Sequence, residues 1–173
     1  MNLLLHTCCG PCAVVPTQYL KEQGIAFTAF NFNPNIHPRA EQLQRAETLH
    51  TLSSLAGFAV IDVAQNAQAD WADCIGQSPD RCKLCYQIRL QETARQAKLH
   101  GFDAFSTTLL ISPYQDHTLI IEVAEEIAAA FGMPFYYHDF RPNFREGQNQ
   151  AREMGLYRQK YCGCINSLAG QGR

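Results

Sequence analysis

Five short apolar runs, separated by stretches of helical pattern that mostly stop at a glycine, constrain this chain more than any other feature. The runs are Leu3 to Leu5, Ile25 to Phe32, Phe58 to Val63, Phe102 to Thr107 and Pro134 to Tyr137. Between them the pattern predicts helices from Cys12 to about Gln23, from about Arg39 to Ala56, from Arg81 to His100 and from Asp116 to Phe131. These stop at Gly24, Gly57, Gly101 and Gly132, because glycine accepts the left-handed backbone that closes a last helical turn. A polar helical segment is expected around Gln68 to Ile75, and the residues after Tyr137 read as helical or irregular. Strands joined through helices pair in parallel and need cover on both faces. The expected class is therefore α/β: a parallel sheet with helices on both faces and a helical C-terminal segment. A length of 173 residues suits one domain spanning the whole chain.

Ligands of such sheets collect outside the carboxyl ends of the strands, and Cys8, Cys9 and Cys12 directly follow the first run. The chain has eight cysteines, seven of them in three groups: Cys8, Cys9 and Cys12; Cys82 and Cys85; Cys162 and Cys164. Cys74 stands alone and reads as a small buried hydrophobe. Leu3 to Leu5 is too short for a secretory signal, and no run approaches the ~18 apolar residues of a membrane helix. The expectation is a cytoplasmic protein with no membrane partner. In a reducing compartment, clustered cysteines point to metal or redox chemistry rather than disulfides.

Cys82 and Cys85 are three residues apart, on one helix face, and so can serve one metal or cluster. Cys12 and Cys82 open helices, where free amide hydrogens favour a thiolate. Gly163 lets the backbone between Cys162 and Cys164 turn tightly. Side chains of adjacent residues in extended backbone diverge, so Cys8 and Cys9 are expected to serve two metals, or one metal and one reaction. A four-iron cluster or a structural zinc takes about four protein ligands, which leaves three of the seven thiols over. A cluster with a second metal or a reactive thiol pair beside it follows. Zinc-only ligation is one alternative. Another is a thioredoxin-like thiol-disulfide oxidoreductase using Cys9 and Cys12, since Cys9-Gly10-Pro11-Cys12 follows a strand and opens a helix. Net charge is -2, yet Arg141, Arg145, Arg152, Arg158, Lys160 and Arg173 face only Glu146 and Glu153 in the last 33 residues. That asymmetry suits a polyanion, or simply a solvated tail.

Taken in order, Leu5-His6-Thr7-Cys8-Cys9-Gly10-Pro11-Cys12, Arg81-Cys82-Lys83-Leu84-Cys85-Tyr86 and Gly155-Leu156-Tyr157-Arg158-Gln159-Lys160-Tyr161-Cys162-Gly163-Cys164 resemble the epoxyqueuosine reductase QueH family. Asn31-Phe32-Asn33-Pro34-Asn35-Ile36 and Thr107-Thr108-Leu109-Leu110-Ile111-Ser112-Pro113 fit as well, so the resemblance covers nearly the whole chain. It implies a Rossmann-like fold similar to adenine nucleotide alpha hydrolases, and reductive removal of the epoxide oxygen of epoxyqueuosine at the wobble position of tRNA. It further implies a 4Fe-4S cluster, an adjacent second iron and an external electron donor of ferredoxin or flavodoxin type. Cys8, Cys9, Cys82 and Cys85 are the expected cofactor ligands, with all seven clustered cysteines available to metal. Candidate proton donors are His6, Asp116, His117 and Tyr161, against the plainer readings of core histidine, helix cap and packing residue. Arg141, Arg145, Arg152, Arg158 and Lys160, with Arg89 as a further possibility, are candidates for the tRNA phosphates.

Overall fold

The computed structural model describes residues 1–63, 71 and 78–169. Apart from Trp71, the helical segment expected around Gln68 to Ile75, with Cys74, lies outside the described residues. Four strands, β1 (Asn2–His6), β2 (Ala26–Asn31), β3 (Ala59–Asp62) and β4 (Ala104–Thr107), form one parallel sheet in the order β3-β2-β1-β4. The helices are α1 (Gly10–Glu22), α2 (Arg39–Ala56), α3 (Arg81–Leu99), α4 (His117–Phe131), α5 (Phe144–Glu153) and α6 (Ile165–Ala169).

The fifth apolar run does not become a strand. It touches β4 at one parallel bridge, Phe105 with Phe135, through the Phe105 N–H on Pro134 O and the Tyr136 N–H on Phe105 O. Pro134 has no N–H to extend a ladder, and the run is short and lies beyond the β4 edge.

Alternation along β1 builds the two layers. Leu4 shares a buried core with Tyr86, Leu90 and Ala94 of α3 and Ile120 and Val123 of α4. Leu3 and Leu5 turn the other way, onto Leu20 of α1. On that second side, Val14 of α1 joins Leu49 and Leu52 of α2, Ala151 of α5 and Leu156. Complete burial of each such leucine contributes roughly 1.5–3 kcal/mol. This is the parallel sheet with helices on both faces, and the helical C-terminal segment, that the sequence implies. Among the described residues, no helix is long and apolar enough to cross a membrane.

The strand order also fixes where a ligand goes. From β1 the chain steps to β2 and β3, then returns to lay β4 on the other side of β1. The direction of winding reverses between β1 and β4, and the crevice outside their carboxyl ends is the natural binding place. Crossover helices run against the strands, so α1 and α3 both begin at that edge. Their first turns carry Cys12 and the Cys82–Cys85 pair.

Candidate metal centre

β1 ends at His6 in the middle of the sheet, and the chain then bends through Cys8 before Cys9 caps α1. Cys9 is fully extended, and no side chain caps the helix. The sulfurs of Cys8, Cys9 and Cys12 all lie within 4.8 Å of one another. Cys8 and Cys9 Sγ are 3.8 Å apart, so the expected divergence of these two side chains does not occur. The bend at Cys8 breaks the extended alternation that would have separated them. Gly10 lets the start of α1 lie close against α2: a Cβ there would stand 2.7 Å from Thr48 Cγ2 and 2.9 Å from Thr48 O.

Electrostatics within the trio are uneven. Hydrogen bonds from Cys12 and Cys9, with a further contact to the Thr108 hydroxyl, hold the Cys8 thiol well below its ordinary range. Burial pushes Cys9 up, and the hydrogen bonds to Cys8 and Cys9 push Cys12 up. Cys8, the thiol held down, is also the least buried of the three. Arg45, itself only 2% exposed, adds a buried cation whose charge acts on Cys9 and Cys8.

A cavity of about 480 Å³ opens at this edge. Cys8, Cys12, Cys82, Cys85, Cys162 and Cys164 all line it, and buried Cys9 reaches Cys8 Sγ at 3.8 Å. Cys85 is buried and pushed up to about 11 by that burial, while Cys82 is exposed. The charges of Cys162 and Cys164 reach both of them. The remaining walls include aromatic (Trp71, Tyr86, Tyr114, Phe144, Tyr161) and cationic (Arg45, Arg81, Arg89, Lys160) side chains, with neutral polar groups such as Asn35 and Gln159 among them.

The C-terminal segment Gln159 to Cys164 is brought here by side chains distant in sequence. Arg45 Nη2 donates to Tyr161 O at 2.9 Å, Nη1 donates to Cys162 O at 3.0 Å, and Nε donates to Glu41 at 2.8 Å. The His37 N–H donates to Gly163 O at 2.8 Å, and the Tyr161 hydroxyl donates to His37 O. Gly163 has φ +107°, and a Cβ on it would stand 3.0 Å from both Arg45 Nη1 and Ile36 Cγ1. Glycine at this position is therefore required twice over, by backbone conformation and by space.

The remaining candidates divide between cavity and scaffold. His6 is wholly buried. Its Nε2 donates toward Phe32 O and Asn33 Oδ1, each at 3.2 Å, leaving Nδ1 to accept from the Thr107 hydroxyl at 2.9 Å. Burial, with the Arg89 charge adding, pulls its pKa down to about 3. It is a core histidine whose two ring nitrogens tie β1 to β4 and to the loop after β2, and it does not line the cavity. Asp116 is exposed and caps α4, its carboxylate accepting from the Leu119 N–H at 3.0 Å. His117 Nε2 meets the Tyr137 hydroxyl at 3.1 Å. Of the named proton-donor candidates, Tyr161 alone lines the cavity.

Among the phosphate candidates, Arg141 is held by both oxygens of Asp139. Arg145, Arg152 and Arg158 are exposed, and Lys160 is exposed at the cavity wall. Arg89 is buried beside Cys85, donating to its carbonyl oxygen at 3.3 Å. Sequence reasoning missed Arg45 and the aromatic walls Trp71, Tyr114 and Phe144, and assigned no role to Asn35. Arg45 carried a weak signal, as an arginine on the otherwise buried face of α2 with Thr48, Leu49 and Leu52.

Seven thiols, three of them already converged, are a soft donor set suited to iron-sulfur clusters or zinc and unlike the oxygen cages of hard cations. Fold and site together define a Rossmann-like α/β protein with a thiol-lined crevice at its switch point. A family model described as epoxyqueuosine reductase QueH matches residues 3–170, and the chain belongs to that family. A relative from Dehalococcoides mccartyi bearing that name is 38% identical over 167 residues, covering 96% of this chain and 92% of the relative. One from Thermotoga maritima is 31% identical over 178 residues, covering 96% and 90%. Among solved structures, a deacetylase of teicoplanin biosynthesis superposes with a TM-score of 0.56 at 12% identity, covering 89% of this chain and 83% of that one. That likeness concerns the fold alone.

Proposed function

We propose that this protein reduces epoxyqueuosine in tRNA to queuosine, using an iron-sulfur cluster with an adjacent iron held by the clustered cysteines. One observation supports this above all: six clustered cysteines from three separate segments line the same cavity, whose other walls include aromatic and cationic side chains. Removal of an epoxide oxygen to leave an alkene and water takes two electrons and two protons. The cluster and iron, when bound, supply electrons singly and a Lewis-acidic partner for the epoxide oxygen.

The chain's own residues do the rest. Cys8, Cys9, Cys82 and Cys85 are our cluster ligands, and Cys12, Cys162 and Cys164 remain for the second metal. Tyr114 and Phe144, which are not buried, offer faces on which a flipped-out loop base stacks, and Arg81 and Lys160 offer charge to the phosphates beside it. Tyr161 keeps its proton at neutral pH, its hydroxyl pushed up by burial. It is the candidate to hold the proton for the departing oxygen, delivered when its hydroxyl turns from His37 O, to which it donates in this structure.

A dithiol exchange at Cys9 and Cys12 fits the site poorly. A thiolate that attacks another protein's disulfide must be presented, whereas Cys9 is 1% and Cys12 6% exposed, with both thiols pushed up. The test is incubation of the anaerobically purified, reduced protein with epoxyqueuosine-containing tRNA, followed by mass analysis of the nucleosides. Queuosine is expected. Unchanged epoxyqueuosine despite an intact iron-sulfur centre contradicts the activity, and colourless protein holding stoichiometric zinc contradicts the cofactor.

A further inference from the structure

Gln159 lies against the sulfurs of the strand-one trio. Its Nε2 is 3.0 Å from Cys9 Sγ and 3.5 Å from Cys12 Sγ. Its Oε1 is buried and has no hydrogen-bond partner among the described residues. A metal-bound cysteine is deprotonated and can only accept. The amide therefore faces the sulfurs with its amino group, because the flipped orientation would set acceptor against acceptor. A buried carbonyl without a partner is unfavourable, so its own bonding does not hold this side chain in place. The contacts to sulfur do, together with the anchoring of the segment that follows: Arg45 on the carbonyls of Tyr161 and Cys162, and the His37 N–H on Gly163 O.

Hydrogen bonds to ligand sulfur stabilise the electron-rich form of the centre and so shift its potential upward. We propose that Gln159 is a positioning residue that raises the reduction potential of the centre held by Cys9, by donating its amide hydrogens to the Cys9 and Cys12 sulfurs. The proposal rests on the iron-sulfur reading above. It assigns Gln159 an electronic role distinct from ligation and from contact with the tRNA.

The test compares wild-type protein with Gln159→Leu and Gln159→Glu, each purified anaerobically with its centre. Iron and sulfide are assayed first. Midpoint potentials then follow from mediated redox titration read by electron paramagnetic resonance at pH 8. Gln159→Leu removes the donors, and Gln159→Glu keeps the shape while replacing the amino group with an oxygen. The expected order is wild type highest, Gln159→Leu lower and Gln159→Glu lowest, with iron content unchanged. Coincident midpoints overturn the proposal. So does loss of iron from both variants while they remain folded by circular dichroism, since Gln159 would then retain the centre rather than tune it. If Gln159→Leu alone loses iron, the midpoints of wild type and Gln159→Glu decide by the same criterion. Wild-type protein without iron and sulfide overturns the cofactor reading and this one together, whereas iron-replete protein with coincident midpoints overturns only the role of Gln159.

Discussion

Single residues carry much of the site's geometry, and Gly10 most of all. A methyl group there meets not only the movable Thr48 Cγ2 but also the fixed carbonyl oxygen of Thr48. Gly10→Ala is therefore expected to destabilise the protein by about 1–3 kcal/mol, as overpacking does, and to lower iron content by spreading the Cys8–Cys12 loop. Urea unfolding with parallel iron analysis checks both effects; a midpoint and iron content equal to wild type would contradict the account. His117 gives a pH prediction. Burial, with the Arg141 charge adding, lowers its folded pKa below 6.5. As pH falls through 6.5 the unfolded chain takes up a proton that the folded chain resists, so this residue makes stability decline toward acid. His117→Gln is expected to shrink the difference between urea midpoints at pH 7.5 and 5.5, and an undiminished difference would remove His117 as its source.

At the scale of elements, the sequence was legible where local rules decide. The glycine stops gave α2, α3 and α4 nearly to the residue, and apolar runs gave the four strands. Asp116 behaves as its plainer reading has it, as a helix cap. Pro134 to Tyr137 misled because apolar character alone does not supply a ladder partner or an N–H. What sequence could not reveal is long-range. The placing of Gln159 to Cys164 depends on Arg45, more than 110 positions earlier, and on a glycine conformation at Gly163. No local pattern announces such an interaction. The proposed tRNA contact is α5 with the residues after it, where Arg145, Arg152 and Arg158 stand exposed. Changing Arg145 and Arg152 together to Ala is expected to weaken an anticodon stem-loop several-fold. It should also flatten the dependence of log affinity on log salt by about 0.7–0.9 for each phosphate no longer neutralised. Fluorescence titrations at several salt concentrations read this directly, and an unchanged slope would place the phosphates elsewhere.

Across the whole molecule, topology and chemistry converge on one edge. The reversal of winding between β1 and β4, and the helix starts it gathers there, bring together thiols that are as much as 156 positions apart in sequence, Cys8 and Cys164. A centre bound as proposed would join β1's carboxyl end, α3 and the C-terminal segment, and would bind only the folded arrangement. Stripping the metal with a chelator should therefore lower the melting temperature, by about 2–4 °C for each kcal/mol of binding free energy removed. Equal melting of stripped and intact protein would mean that the thiols hold nothing that matters to the fold. The most direct test of the central claim is a single turnover. Protein is reduced anaerobically, freed of reductant and mixed with epoxyqueuosine-containing tRNA, while the reduced-centre signal and the nucleosides are followed together. The account predicts that the signal decays in step with queuosine formation, two electrons for each queuosine. A signal that persists while queuosine forms, or one that decays with epoxyqueuosine unchanged, would contradict it.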